Sequence, residues 1–62
     1  MKKTEFVVEK LLKGRIWLFV ERFGFFLPAD ALARDIFDYE KVPSRVVIRT
    51  VEEHIVKEYP KK

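Results

Sequence analysis

The stretch from Ser44 to Tyr59, SRVVIRTVEEHIVKEY, most constrains what this chain can fold into. Val47, Ile48, Val51, Ile55 and Tyr59 recur at spacings of three and four, which predicts one apolar side of a helix. Arg45, Arg49, Glu52, Glu53 and Lys57 fall mostly on the other side. Pro43 precedes Ser44, a good helix cap, and Pro60 follows the last periodic residue. The rest of the chain is then read as surface that covers this stripe.

A second helical period runs upstream. Thr4 can cap a helix whose stripe is Val7, Val8, Leu11, Leu12, Trp17 or Leu18, Phe19 and Phe23. Gly14 weakens its middle by about 1 kcal/mol relative to Ala. Two readings stand: one long helix over about 5–23, or a helix ending at Gly14 with Arg15 to Val20 as a strand. The run RIWLFV favours strands by composition but does not alternate, so the helix is carried forward. GFFLP (24–28) connects to a middle helix, Pro28 to Tyr39, with Leu32, Ile36 and Tyr39 on its apolar side and Asp30/Arg34 and Arg34/Asp38 as i,i+4 pairs. Glu40 to Pro43 is a short turn. The expectation is an all-α fold: a small three-helix bundle, helix-turn-helix-like, in one domain over 1–62.

Size bears on assembly. Sixty-two residues with no cysteine cannot be held by disulfides, and one histidine makes a metal staple a poor expectation. No metal and no cofactor are therefore expected, and a homodimer is. Six phenylalanines and one tryptophan either fill the core or face a partner. Apolar runs are broken by Arg15, Glu21 and Arg22, so none reaches the roughly 20 residues of a membrane span. With no signal-type segment evident, the expected location is the cytoplasm and no membrane partner is expected.

Catalysis has little support. His54 stands among Glu52, Glu53 and Glu58, but one histidine on a charged helix face is ordinarily a surface residue. Ser44 is assigned to capping, and the two glycines, ten apart, form no phosphate loop. The expectation is a protein that is not an enzyme.

Nucleic acid fits the charge better. The net charge is +3, and basic ends flank an acidic middle. In a helix-turn-helix reading the 44–59 helix enters the major groove of double-stranded DNA, as in a small transcription regulator. Its contact residues are Lys41, Ser44, Arg45, Arg49 and Lys57, with Lys2, Lys3, Lys61 and Lys62 as further phosphate contacts. Arg49/Glu53 and Glu53/Lys57 are also good i,i+4 pairs, so these basic groups can equally serve their own helix.

The stretch RFGFFLP, ADALARDIFDYE, SRVVIRTVEEHIVKEY also resembles the ribbon-helix-helix family of dimeric DNA-binding proteins, over Arg22 to Tyr59. The resemblance implies a strand near 22–27 that pairs with its twin, followed by two helices.

The competing reading is a non-enzymatic protein-interaction or assembly module. Its surface is the aromatic set Trp17, Phe19, Phe25 and Phe26, carried on the N-terminal helix and the following connection, and offered to a second copy or to a larger protein.

Overall fold

Positive φ at Lys13 (53°) and Gly14 (71°) turns the N-terminal half back on itself. Arg15 N–H closes the turn on the Leu12 carbonyl at 3.1 Å. Left-handed geometry at two successive residues is what a tight β-hairpin demands, and glycine supplies it without steric cost. The computed structural model describes residues 4–50 and 53–60. The element order is β1 (Glu5–Leu12), β2 (Ile16–Phe23), α1 (Phe26–Asp35) continuing into a π-helical segment (Ile36–Glu40), β3 (Ser44–Arg49) and β4 (Glu53–Tyr59).

The four strands form one antiparallel sheet in the order β2-β1-β3-β4. Each hairpin pairs locally, and β1 joins them through β3, with Val8 opposite Val46 and Phe6 opposite Ile48. One helix covers one face. Ala29 and Ala33 are fully buried and let its backbone come close to the sheet. They pack with Val8, Val46 and Ile36, ringed by Phe6, Val20, Phe23, Phe26, Leu32, Val42 and Tyr59. Phe6 and Phe26 meet edge to face at 5.9 Å between centroids.

This corrects the expected three-helix bundle. The N-terminal helix over 5–23 is the β1–β2 hairpin, and the 44–59 helix is β3 and β4. The described part of that expected stripe shows why the helical period misled. Val47 and Ile48 are adjacent in a strand and therefore face opposite sides of the sheet. Val47 does meet Ile55, as the helical spacing suggested, but as its cross-strand partner. Val46, Val47 and Ile48 are β-branched and suit that pleated setting. Of the ribbon-helix-helix pattern, the strand-then-helix order around 22–40 is present. Its second helix is replaced by two strands, and residues 22–27 are the end of β2, a bend and the start of α1.

The middle helix starts two residues earlier than Pro28. A proline in the first turn is tolerated because its missing N–H has no helical partner there. The helical chain ends at Lys41, whose φ of 62° lets its N–H reach back to the Phe37 carbonyl at 3.1 Å.

Candidate interaction surface

Strand alternation and register divide the sheet into two faces. The face under α1 carries Phe6, Val8, Ser44, Val46 and Tyr59. The opposite face carries Val7, Glu9 and Leu11 of β1, Arg45 and Val47 of β3, Trp17 and Phe19 of β2, and Ile55 of β4. No described helix covers that second face, yet Val7 is fully buried and Val47 is 3% exposed. Glu9 and Arg45 are direct cross-strand partners there, and Arg45 Nε donates to Glu9 Oε1 at 2.7 Å. The Arg45 guanidinium lies 4.0 Å from the Trp17 ring centroid.

The two sheet edges differ in chemistry. β4 carries His54, Lys57 and Glu58 and is followed by Pro60, all features that discourage strand addition. β2 reads IWLFV between Arg15 and Glu21 with no charge inside. Ile16 is 61% exposed, Phe19 52% and Leu18 43%. A bulge opposite Val8 places both Val20 and Glu21 against that one residue and ends the regular part of the strand. Beyond it, Phe25 and Leu27 are also exposed where the chain leaves for the helix.

The sequence-derived contact residues do not converge on one basic surface. Ser44 is fully buried, and its hydroxyl donates to the Ala33 carbonyl. Arg45 is engaged with Glu9 and Trp17 on the open face. Arg49 is exposed at the far end of β3, Lys41 caps the helical chain, and Lys57 lies over the Tyr59 ring at 6.0 Å. Lys2, Lys3, Lys61 and Lys62 lie outside the described residues. A DNA-reading helix-turn-helix needs a helix at 44–59, and strands stand there instead, so the regulator reading is overturned.

The aromatic set fares differently. Trp17 and Phe19 both lie on the open-face side of β2, Trp17 half-buried. Phe25 is exposed beside the helix start, while Phe26 packs in the core fringe. Sequence reasoning missed Ile16, Leu18 and Ile55, which extend the apolar surface. The uncharged run IWLFV was the signal for the first two, but its meaning depends on β2 being an edge strand.

A shallow, mainly apolar hollow of about 190 Å³ lies at the Pro43–Pro60 end of the sheet, lined by Leu11, Trp17, Pro43, Tyr59 and Pro60 among others. Among the described residues no group of three or more acidic, histidine or cysteine side chains is placed to hold a metal ion. Also among them, no helix is long and apolar enough to cross a membrane. Comparisons with protein-family models, with curated proteins and with solved structures find no match.

Proposed function

We propose that the chain is a non-enzymatic protein-interaction and assembly module. Its contact surface is the β2 edge with the adjoining open face of the sheet. One observation carries this reading: Ile16, Leu18 and Phe19 are exposed together on an edge strand that holds no charge between Arg15 and Glu21. Contiguous exposed apolar surface marks interaction sites, and exposed edge strands are ordinarily blunted by charge or proline. A 62-residue chain also gains stability from burying such surface against a partner.

The test is site-specific photocrosslinking. A photoreactive phenylalanine analogue replaces Phe19 in one version of the protein and Arg34, on the exposed helix surface, in another. Both are produced in the cells the protein comes from. Adducts at position 19 and none at position 34 are expected. Equal labelling at both positions, or none at 19, sinks the reading.

A further inference from the structure

We infer that the occupant of the β2 edge is the β2 edge of a second copy, paired antiparallel about a two-fold axis at Leu18 to give a continuous eight-stranded sheet. The inference rests on the interaction reading above and names its partner and register.

The argument begins with what the edge lacks. In the four-stranded sheet β2 pairs only with β1, so its outer row of N–H and C=O groups has no strand partner among the described residues. Adding a strand satisfies those groups, and the side chains set the register. Both sides of the strand are apolar: Ile16 and Leu18 on the helix side, Trp17 and Phe19 on the open side. A partner strand must therefore be apolar on both sides, and β2 itself has that pattern.

Register then discriminates. A two-fold axis perpendicular to the sheet keeps both helices on one side, and residues of like face must oppose each other. Three such registers fall in the regular part of β2. Centring on Trp17 sets Arg15 opposite Phe19. Centring on Phe19 sets Trp17 opposite Glu21. Centring on Leu18 sets Leu18 against itself, Ile16 against Val20, and Trp17 against Phe19 in two aromatic cross-strand pairs. Past these pairs, Arg15 of each copy comes level along the strand with Glu21 of the other. The bulge turns Glu21 to the Val8 side, so the two charges are neighbours at the strand end and not a face-to-face pair. Arg15 and Glu21 are both exposed and neither has an ion-pair partner among the described residues. Only the Leu18 register matches apolar to apolar and closes both ends with opposite charges. The bulge at Val20 stops the pairing where Glu21 begins, so the contact is closed and does not propagate.

Stacking of two open faces is the competing way to pair two copies. It must remove the Glu9–Arg45 pair from its remaining water, and desolvating an ion pair is costly. Edge pairing leaves that pair where it is.

The experiment uses the absence of native cysteine. Directly opposed antiparallel residues have Cα atoms about 4.5–5.5 Å apart, within disulfide range. Leu18→Cys is expected to form a disulfide-linked dimer under mild oxidation, while Ile55→Cys, on β4 and comparably exposed, stays monomeric. In sedimentation, Leu18→Lys places two like charges on the axis and is expected to weaken the dimer at least about tenfold. Its circular dichroism should remain that of the parent. Arg15→Glu alone weakens the dimer, and adding Glu21→Arg restores it. A dimer that crosslinks through Ile55→Cys but not Leu18→Cys overturns the strand pairing and leaves the interaction function standing. A wild-type mass of 7.5 kDa at about 100 μM overturns self-pairing outright. The photocrosslinking at position 19 then decides the interaction reading by itself, and adducts only to other proteins there preserve that reading without this partner.

Discussion

The Tyr59 hydroxyl donates a hydrogen bond of 2.5 Å to Oδ1 of Asp30, fastening the edge strand β4 to the helix. Burial, followed by that bond and then the Asp30 charge, pushes the Tyr59 pKa from 10.0 up to about 12; Arg34 opposes the rise and Asp38 adds to it. The unfolded chain releases this proton near pH 10, so between about pH 10 and 12 it binds fewer protons than the folded protein. The contribution is full below the unfolded value and is lost as pH rises through the folded one. Tyr59→Phe is expected to lower stability at neutral pH by about 1 kcal/mol. It should also remove this group's share of the stability loss in the alkaline window. Urea unfolding at about pH 9 and about pH 11.5 measures both effects. A variant with the same alkaline slope as the parent would show that the bond to Asp30 does not link strand to helix.

Ser44 makes the corresponding link from β3. It is fully buried and donates to the Ala33 carbonyl, opposite the fully buried Ala33 side of the helix. Ser44→Ala removes the donor from a site that water cannot reach, and is expected to cost about 1–2 kcal/mol. The thermal midpoint should fall by several degrees. A change within a degree would mean that the carbonyl finds full satisfaction within the helix.

These two contacts show what was legible in the chain and what was not. The middle helix was legible because Leu32 and Ile36, with Ala29 and Ala33 beside them, form a stripe that the structure does bury, although Tyr39, expected on the same stripe, is 82% exposed. The strands were hidden because the sheet is apolar on both sides. In β1 the core face supplies Phe6 and Val8 while the open face supplies Val7 and Leu11. Strict alternation disappears, and clusters at three and four remain. The turn at Lys13–Gly14 gave a weak signal, since only its second residue is the glycine that left-handed geometry favours. The helical period makes Ser44 and Tyr59 the two ends of one helix, whereas register makes them cross-strand partners. The same two-sided character makes the candidate surface. The residues that obscured the strands, Trp17, Leu18 and Phe19, are those left exposed or half-covered at the edge.

Lys41 offers a gain in stability. Its φ of 62° lies in the left-handed region, which costs an L-residue roughly 1–2 kcal/mol. Glycine has no such penalty, though the unfolded chain gains freedom in return. Lys41→Gly is expected to raise stability by up to about 1 kcal/mol, because the Lys41 N–H keeps its bond to the Phe37 carbonyl. Chemical denaturation with an unchanged m-value is the check. A loss of stability would mean that the lysine side chain contributes more than its backbone costs.

The Glu9–Arg45 pair governs the open face. Its side chains are 15% and 21% exposed, and the guanidinium rests on Trp17. Exposed pairs contribute about 0.2–1 kcal/mol, while breaking a buried one costs about 3–5 kcal/mol. This half-covered pair falls between them, so Glu9→Gln or Arg45→Met alone should cost about 1–3 kcal/mol. Arg45→Met should also change the emission of Trp17, the single tryptophan, by removing the cation above its ring. The double change Glu9→Leu with Arg45→Met should recover much of the loss, because neither charge is then left unpaired. It would also clear the charged pair from the middle of the open face, leaving Val7, Leu11, Trp17, Phe19, Val47 and Ile55 around two apolar side chains, with Glu58 beside position 45 as a remaining charge. The double variant is therefore expected to form larger species in sedimentation than the parent does, because open faces can now stack as well as edges. Single variants within about 0.5 kcal/mol of the parent would show the pair to be merely solvated. A double variant with the parent's mass would show that this ion pair is not what keeps the open faces apart.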